Sequence, residues 1–301
     1  MIRKHTRRAV KAAFAISFGV AIILGGFAGT ASSAAPTIKL GTKNFTEQYI
    51  LGELYRQTLE KHGFNVRLKS DIGSSEIIDK ALTAGSIDMY PEYTGTLLSE
   101  IAGERRRPSS AAAAYAKAKQ FEAKRGFAVL AMTPFSDSNA LAVLPAYGRA
   151  HRLRTIADLK RVPGITIGAL PEFRSRFEGS VGLRSVYGLT DARVVPLQFA
   201  QRYPSLDKSK VNTLAVFTTE GQLSSGKYVV LADPRRLFAF QNLAPVIRSD
   251  LVRKYGTRLT APLDALSAKL TTNAMRAMNA DVDLHGQKPA AVAAQFLRTA
   301  R

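Results

Sequence analysis

The stretch TIKLGTKNFTEQYILGELYRQTLEKHGFNVRLKSDIGSSEIIDKALTAGSIDMY, residues 37–90, decides the fold class. Residues 37–41 read as a short strand. Asn44 stands three residues before Glu47 in the manner of a capping box, opening a helix that carries Ile50, Leu51, Leu54 and Leu59 at helical spacing and stops at Gly63. A second strand over 65–70 alternates Val66 and Leu68. Gly73-Ser74-Ser75 then starts a helix holding Ile77, Ile78, Ala81 and Leu82, with Gly85 as its stop, and residues 87–90 form a third strand. Strand and helix alternating at such short intervals call for an α/β fold with a mostly parallel sheet and helices on its faces.

The pattern then repeats. An alanine-rich helix over 109–125 ends at Gly126, and extended segments at 127–132 and 140–144 flank a turn at 133–138. From Thr155 a second unit follows: helix 155–161, strand 165–170, helix near 179–187, strand 194–197, helix near 203–209 and strand 228–231. The segment 234–252, with Pro234 and Pro245, leads into helical pieces at 263–279 and 289–299, which are expected to return and cover the first unit. A chain of 301 residues has room for two such units, each with its own core.

Residues 1–35 carry five basic groups (Arg3, Lys4, Arg7, Arg8, Lys11), an apolar run from Ala12 to about Ala28, and a small-residue stretch over 30–35. That order is a secretory signal peptide, with cleavage expected between Ser33 and Pro36. Of 43 Lys and Arg against 23 Asp and Glu, only those five basic groups lie before Pro36, so the mature chain carries +15. The basic residues are scattered without a helix stripe or nucleic-acid motif, so nucleic acid is excluded as a partner and the charge is read as a surface facing anionic lipid or wall polymer.

With Cys 0, thiol catalysis, thiolate metal sites, disulfides and a lipidated cysteine are excluded, and His 4 leaves little imidazole chemistry. No nucleophile elbow, phosphate loop, zinc-spaced histidine set or dinucleotide fingerprint is present. Asp88 and Glu92 are separated by Pro91, which keeps them off one helix face. No metal and no cofactor is expected, and binding of a small molecule is favoured over its transformation. Open α/β sheets take ligands beyond the carboxyl ends of their strands, which directs attention to residues 42–46, 71–76, 90–96, 170–179 and 217–221. These loops offer Lys43, Tyr90, Tyr93, Thr96, Arg174, Arg176 and Phe217. Aromatic faces attract a quaternary ammonium, while lysine, arginine, hydroxyls and helix N-termini take a carboxylate.

GTKNFTEQ (41–48), GSS (73–75) and ALTAGSIDMYPEYTGT (81–96) resemble the substrate-binding proteins of osmoprotectant ABC transporters, as do EFRSRFEG (172–179), YGL (187–189), TTEG (218–221) and KPAAVA (288–293). The resemblance spans nearly the whole mature chain and is most specific over 81–96. It implies a two-lobed periplasmic-binding-protein fold of type II, with 36–139 and 243–301 forming lobe one, 140–242 forming lobe two, and the ligand in the cleft between them. By position it implies Tyr93 as a cage tyrosine with Lys43 and Thr96 as carboxylate partners beside it, Arg176 as the carboxylate-binding arginine of lobe two, and Tyr203 as an aromatic there.

Three positions depart from the pattern: Asn139 stands where a cage tyrosine is common, Phe217 replaces a tyrosine, and Glu220 replaces an aspartate. The cage is thinner as a result, which leaves room for a larger zwitterion such as carnitine or a histidine-derived betaine. The expectation is an exported, monomeric, non-enzymatic receptor at the periplasmic or extracellular face of the cytoplasmic membrane. It would deliver a betaine-like zwitterion to the membrane permease of an ABC transporter. A receptor for another amino-acid-like zwitterion, a secreted enzyme on such a substrate and a wall-associated interaction module are the alternatives.

Overall fold

A computed structural model describes residues 37–238 and 240–299 of the chain; the expected signal peptide and its cleavage point lie outside them. The strands among the described residues are β1 Thr37–Gly41, β2 Asn65–Lys69, β3 Met89–Tyr93, β4 Phe127–Val129, β5 Asn139–Val143, β6 Thr166–Ala169, β7 Arg193–Pro196, β8 Thr213–Phe217, β9 Val229–Leu231 and β10 Leu243–Arg248. They form two sheets, in the orders β2-β1-β3-β10-β4 and β7-β6-β8-β5-β9. In the first, β10 runs antiparallel to both its neighbours, so the other four strands share one direction. In the second, β5 is reversed in the same way. Each of the two expected units therefore has its own mostly parallel sheet, with a single reversed strand inserted next to its edge.

The reversed strands adjoin the places where the chain passes between lobes. The outgoing and returning segments run antiparallel, bridged at Ser136 and Asn242, with Asp137 N–H donating to Gln241 O at 3.0 Å and Thr133 N–H to Leu243 O at 2.8 Å. The Asn242 amide also donates to the carbonyls of Thr133 and Phe135. This two-stranded passage, the hinge segment, links the two sheets.

The helices are α1 Thr46–Lys61, α2 Ser75–Thr83, the single turn α3 Thr94–Thr96, α4 Ala111–Lys124, α5 Pro145–Ala150, α6 Gly182–Tyr187, α7 Arg202–Asp207, α8 Ser249–Tyr255, α9 Thr257–Lys269, α10 Thr272–Asp283 and α11 Pro289–Thr299. On one face of the first sheet, Ile50, Leu51 and Leu54 of α1 pack with Leu259, Leu263, Met275, Met278 and Val292 of α9–α11. The C-terminal helices thus return to the first unit, as their amphipathic spacing requires. The expected helix 263–279 is instead two, because α9 ends at Lys269 and the Thr271 hydroxyl accepts from Ala274 N–H to start α10.

Other expectations need correction. The N-cap of α1 is Phe45, without a side-chain cap, because the Glu47 carboxylate is engaged elsewhere (below) and cannot reach back to Asn44. The third strand runs on through Pro91 to Tyr93. Pro91 lies opposite Pro245 of β10, and β1 pairs with β3 only at Leu40–Met89, so the missing proline N–H removes no pairing from that strand. Strands β8 and β10, not expected from the sequence, each lie inside a sheet with a partner on both edges and are almost wholly buried.

Candidate functional site

The loops that leave β1, β3, β6 and β8, together with the hinge, converge on one cavity between the sheets. Its lining includes Lys43, Phe45, Ser75, Tyr93, Thr96, Asp137, Asn139, Glu172, Arg176 and Phe217. Of the residues singled out in the sequence, Lys43, Tyr93, Thr96, Asn139, Arg176 and Phe217 are thereby brought together, whereas Tyr90 and Arg174 do not line the cavity. Tyr203 is not among the lining residues: its ring packs against Tyr228 at 4.7 Å and its hydroxyl donates to Glu220 at 2.5 Å, inside the core of the second sheet.

Aromatic rings dominate one side. Phe45 stacks on Phe217 with centroids 5.2 Å apart, on Phe199 at 6.0 Å and on Tyr93 at 6.3 Å, all within 29° of parallel. The faces already attract cations of the protein itself. Lys43 Nζ lies 4.3 Å from the Tyr93 centroid, and the Arg202 guanidinium lies 4.2 Å from that of Phe199 and 5.5 Å from that of Phe217. Phe45 and Phe199 were missed in the sequence, although Phe45 sits two residues from Lys43 in the most informative loop.

Each of three cations in and behind the cavity has a carboxylate of its own. Lys43 Nζ donates to Glu92 at 2.5 Å and to the Ser75 hydroxyl at 3.1 Å, with both charged side chains almost fully buried. Burial lowers the Lys43 pKa, and Glu92 pulls it back only in part. Arg202 donates to Glu220 at 2.5 Å and to the Ala215 carbonyl at 2.9 Å, which accounts for a fully buried arginine and for the glutamate in the 218–221 turn. Arg176 holds Glu76 through Nε at 3.0 Å and Nη2 at 2.8 Å, across the cleft from one lobe to the other.

Around them lies an excess of acid. Glu47 accepts from the Tyr93 hydroxyl at 2.6 Å, the Thr219 hydroxyl at 2.5 Å and the Asn279 amide at 2.9 Å. Burial raises its pKa against these three bonds. Asp137, in the hinge, is pushed well above the usual carboxylate range by burial and then by Glu47, while Thr219 N–H donates to it at 3.1 Å. Neither acid was singled out from the sequence.

A polar chain closes the remaining side. The Thr96 N–H and hydroxyl donate to Gln241 Oε1 at 3.0 and 3.2 Å, Gln241 Nε2 donates to Glu178 at 2.6 Å, and Asn139 donates to the same Glu178 oxygen at 3.1 Å. Gly95 permits this approach, because a Cβ there would come within 2.7 Å of both the Gln241 amide and the Phe240 carbonyl. Thr96 and Asn139 thus face the cavity while committed to Gln241 and Glu178. Among the described residues no group of three His, Asp or Glu side chains could hold a metal, and no helix is long and apolar enough to cross a membrane.

Residues 36–299 match the OpuAC family, described as the substrate binding domain of ABC-type glycine betaine transport systems. The chain is 32% identical over 276 residues to a glycine-betaine-binding protein of Pseudomonas aeruginosa, covering 88% of each. It is 28% identical to an ergothioneine transport permease/ergothioneine binding protein of Helicobacter pylori, over 86% of this chain and 46% of that protein. Its fold matches the crystal structure of a glycine betaine/carnitine/choline ABC transporter with a TM-score of 0.69, at 25% identity, over 87% of this chain and 97% of the other.

Proposed function

We propose that this chain, which belongs to the OpuAC family of transporter substrate-binding domains and is no enzyme, captures a betaine-like zwitterion in its cleft and hands it to an ABC permease. The observation that carries the ligand class is the parallel stack of Phe45, Tyr93 and Phe217 facing Arg176 across one cavity. A quaternary ammonium cannot donate hydrogen bonds and gains most from π faces and nearby carboxylates, which Asp137 and Glu47 supply. A carboxylate at the other end of the ligand meets the Nη1 side of Arg176 and the third donor of Lys43. Phe217, Asn139 and Thr96 complete the walls, whereas Tyr203 supports them from behind through Glu220.

In this reading residues 1–35 direct export and are removed, 36–139 with 243–301 move as one lobe and 140–242 as the other, and the monomeric protein works outside the cytoplasmic membrane. Hinge closure presents both lobes to the permease. Thermal-shift and calorimetric titration with glycine betaine, carnitine, ergothioneine and choline test it. At 100 times its dissociation constant the true ligand adds about 2.7 kcal/mol of stability. Tyr93→Ala should weaken every quaternary ligand, by about 0.5 to 2 kcal/mol. Normal binding by that variant, with the fold intact, would remove the aromatic cage from the reading.

A further inference from the structure

Arg176 belongs to the loop after β6 in the second sheet, and Glu76 to the first turn of α2 beside the first sheet. The chain connects the two sheets through the hinge. Their contact is bidentate, and the Ser74 hydroxyl holds the same Glu76 oxygen that receives Nη2, at 2.6 Å. Burial would raise the Glu76 carboxyl, but the bonds from Arg176 outweigh it and bring it down to about 2. The guanidinium therefore offers Glu76 its Nε–Nη2 edge, and the remaining nitrogen, Nη1, lies 4.0 Å from Glu172, a cavity-lining residue. Arg176, Ser74 and Ser75 line the cavity whereas Glu76 does not, so Glu76 stands behind the arginine and not in the ligand's place.

We infer that Glu76 is a positioning residue that latches lobe two to lobe one through Arg176, holding the Nη1 side toward the cavity and coupling ligand capture to closure. The inference rests on the cleft-receptor reading above. Opening the hinge must break the pair, since its partners stand on different lobes. Apparent affinity scales with the fraction of molecules in the binding-competent form. A latch consequently strengthens ligands with and without a carboxylate alike, whereas a direct Arg176 contact strengthens only those that carry one. If Glu76 instead competed with the ligand carboxylate, its removal would improve betaine binding.

Calorimetry on Glu76→Gln and Glu76→Ala with glycine betaine and choline separates these cases. The expected result is a loss of about five- to tenfold for both ligands, between the contributions of an exposed ion pair and a buried charge-assisted one. The exchanged pair Glu76→Arg with Arg176→Glu should bring choline binding back to within about threefold of the parent but leave glycine betaine weak, because the latch returns and the carboxylate contact does not. A gain in betaine affinity on removing Glu76, or no change for either ligand, overturns the inference while the receptor reading stands. If the parent protein binds neither ligand, the receptor reading falls, and the latch is judged by interlobe distance alone. The cysteine-free chain accepts labels at Lys61→Cys on lobe one and Arg193→Cys on lobe two, both exposed positions. Glu76→Gln should lengthen that distance, and an unchanged distribution also refutes the latch.

Discussion

Replacing Lys43 by methionine tests the electrostatics of the cleft most directly. The lysine Nζ lies 2.5 Å from Glu92 Oε1, and the side chains are 5% and 1% exposed. Glu92 Oε1 also accepts the Tyr93 N–H at 2.7 Å, but Oε2 has no hydrogen-bond partner among the described residues. Methionine fills the same channel and keeps its apolar contacts with Tyr93 and Phe45, so the loss is almost purely that of the cation. A buried carboxylate stripped of its counter-ion typically costs about 3 to 5 kcal/mol. At roughly 2 to 4 °C per kcal/mol for a domain of this size, the melting temperature should fall by about 10 °C. The double variant Lys43→Met with Glu92→Gln removes both charges and should recover more than half of that loss.

The opposite single variant, Glu92→Gln, should be milder. Burial already draws the Lys43 pKa down, so an unpaired Lys43 can shed its proton in the folded state. The unfolded chain then binds one more proton than the folded one. The stability of Glu92→Gln should accordingly rise as pH climbs toward the ordinary lysine value of 10.5. Urea and thermal unfolding of the three variants between neutral and alkaline pH supply the measurement. A loss below about 1 kcal/mol for Lys43→Met, with no recovery in the double variant, would refute the buried-pair argument.

Asn139→Tyr adds a ring opposite Phe217, its register partner in β5–β8, and should tighten glycine betaine by about fivefold, one further cation–π contact, in calorimetric titration; loss for every ligand would show that the cage has no room for it. Glu122, on α4, has one oxygen bonded to Arg125 at 2.7 Å and the other without a partner, and burial raises its pKa to about 7 from 4.5. Because the folded state holds that proton more tightly, stability should decline by up to about 3 kcal/mol as pH rises from 4.5 to 7; Glu122→Gln should flatten the profile, and an unaltered slope would assign it to other groups. Affinity for glycine betaine should change less than about twofold between low and 0.5 M salt, since a neutral ligand gains little from the +15 field of the mature chain, and a tenfold loss would show that the net charge steers binding.

Much of the first unit was legible because its helices and outer strands each show one apolar face. Strand β2 alternates exposed and half-buried positions, and α1 buries Ile50, Leu51, Leu54 and Leu59 on one side. Strand β8, TLAVF, is covered on both faces and carries no alternation, so periodicity gave no sign of it. In β10, Pro245 masked the strand, and only the facing Pro91 makes that proline harmless. At the site, loop position at strand ends was enough to gather Lys43, Tyr93, Thr96, Arg176 and Phe217, although the same loops also offered Tyr90 and Arg174, which do not line the cavity; Asn139 came from the resemblance alone. Which acid each cation meets was not readable, since Glu92 is 49 residues from Lys43 and Glu76 is 100 residues from Arg176. Tyr203 was misjudged for a related reason. Its hydroxyl partner, Glu220, is one of the three positions where the sequence departs from its resemblance, and the longer acid reaches both Tyr203 and Arg202.

These pairings change how the basic chain is understood. Lys43 and Arg176 suggest a cationic pocket when counted from the sequence, yet each is met by a glutamate, as is Arg202 behind them. What remains over is acidic: Asp137 and Glu47, both with pKa values raised by burial. A ligand with a net negative charge would therefore find the arginine and lysine already met by carboxylates. A quaternary ammonium placed among Phe45, Tyr93 and Phe217 meets π faces and brings a compensating charge to the buried carboxyls. A carboxylate on the same molecule must then rely on the unshared donors of Arg176 and Lys43, which are few. Discrimination between ligands consequently falls on the cation end first, and the carboxylate end refines it only when the two lobes have closed and Glu76 has aimed the arginine.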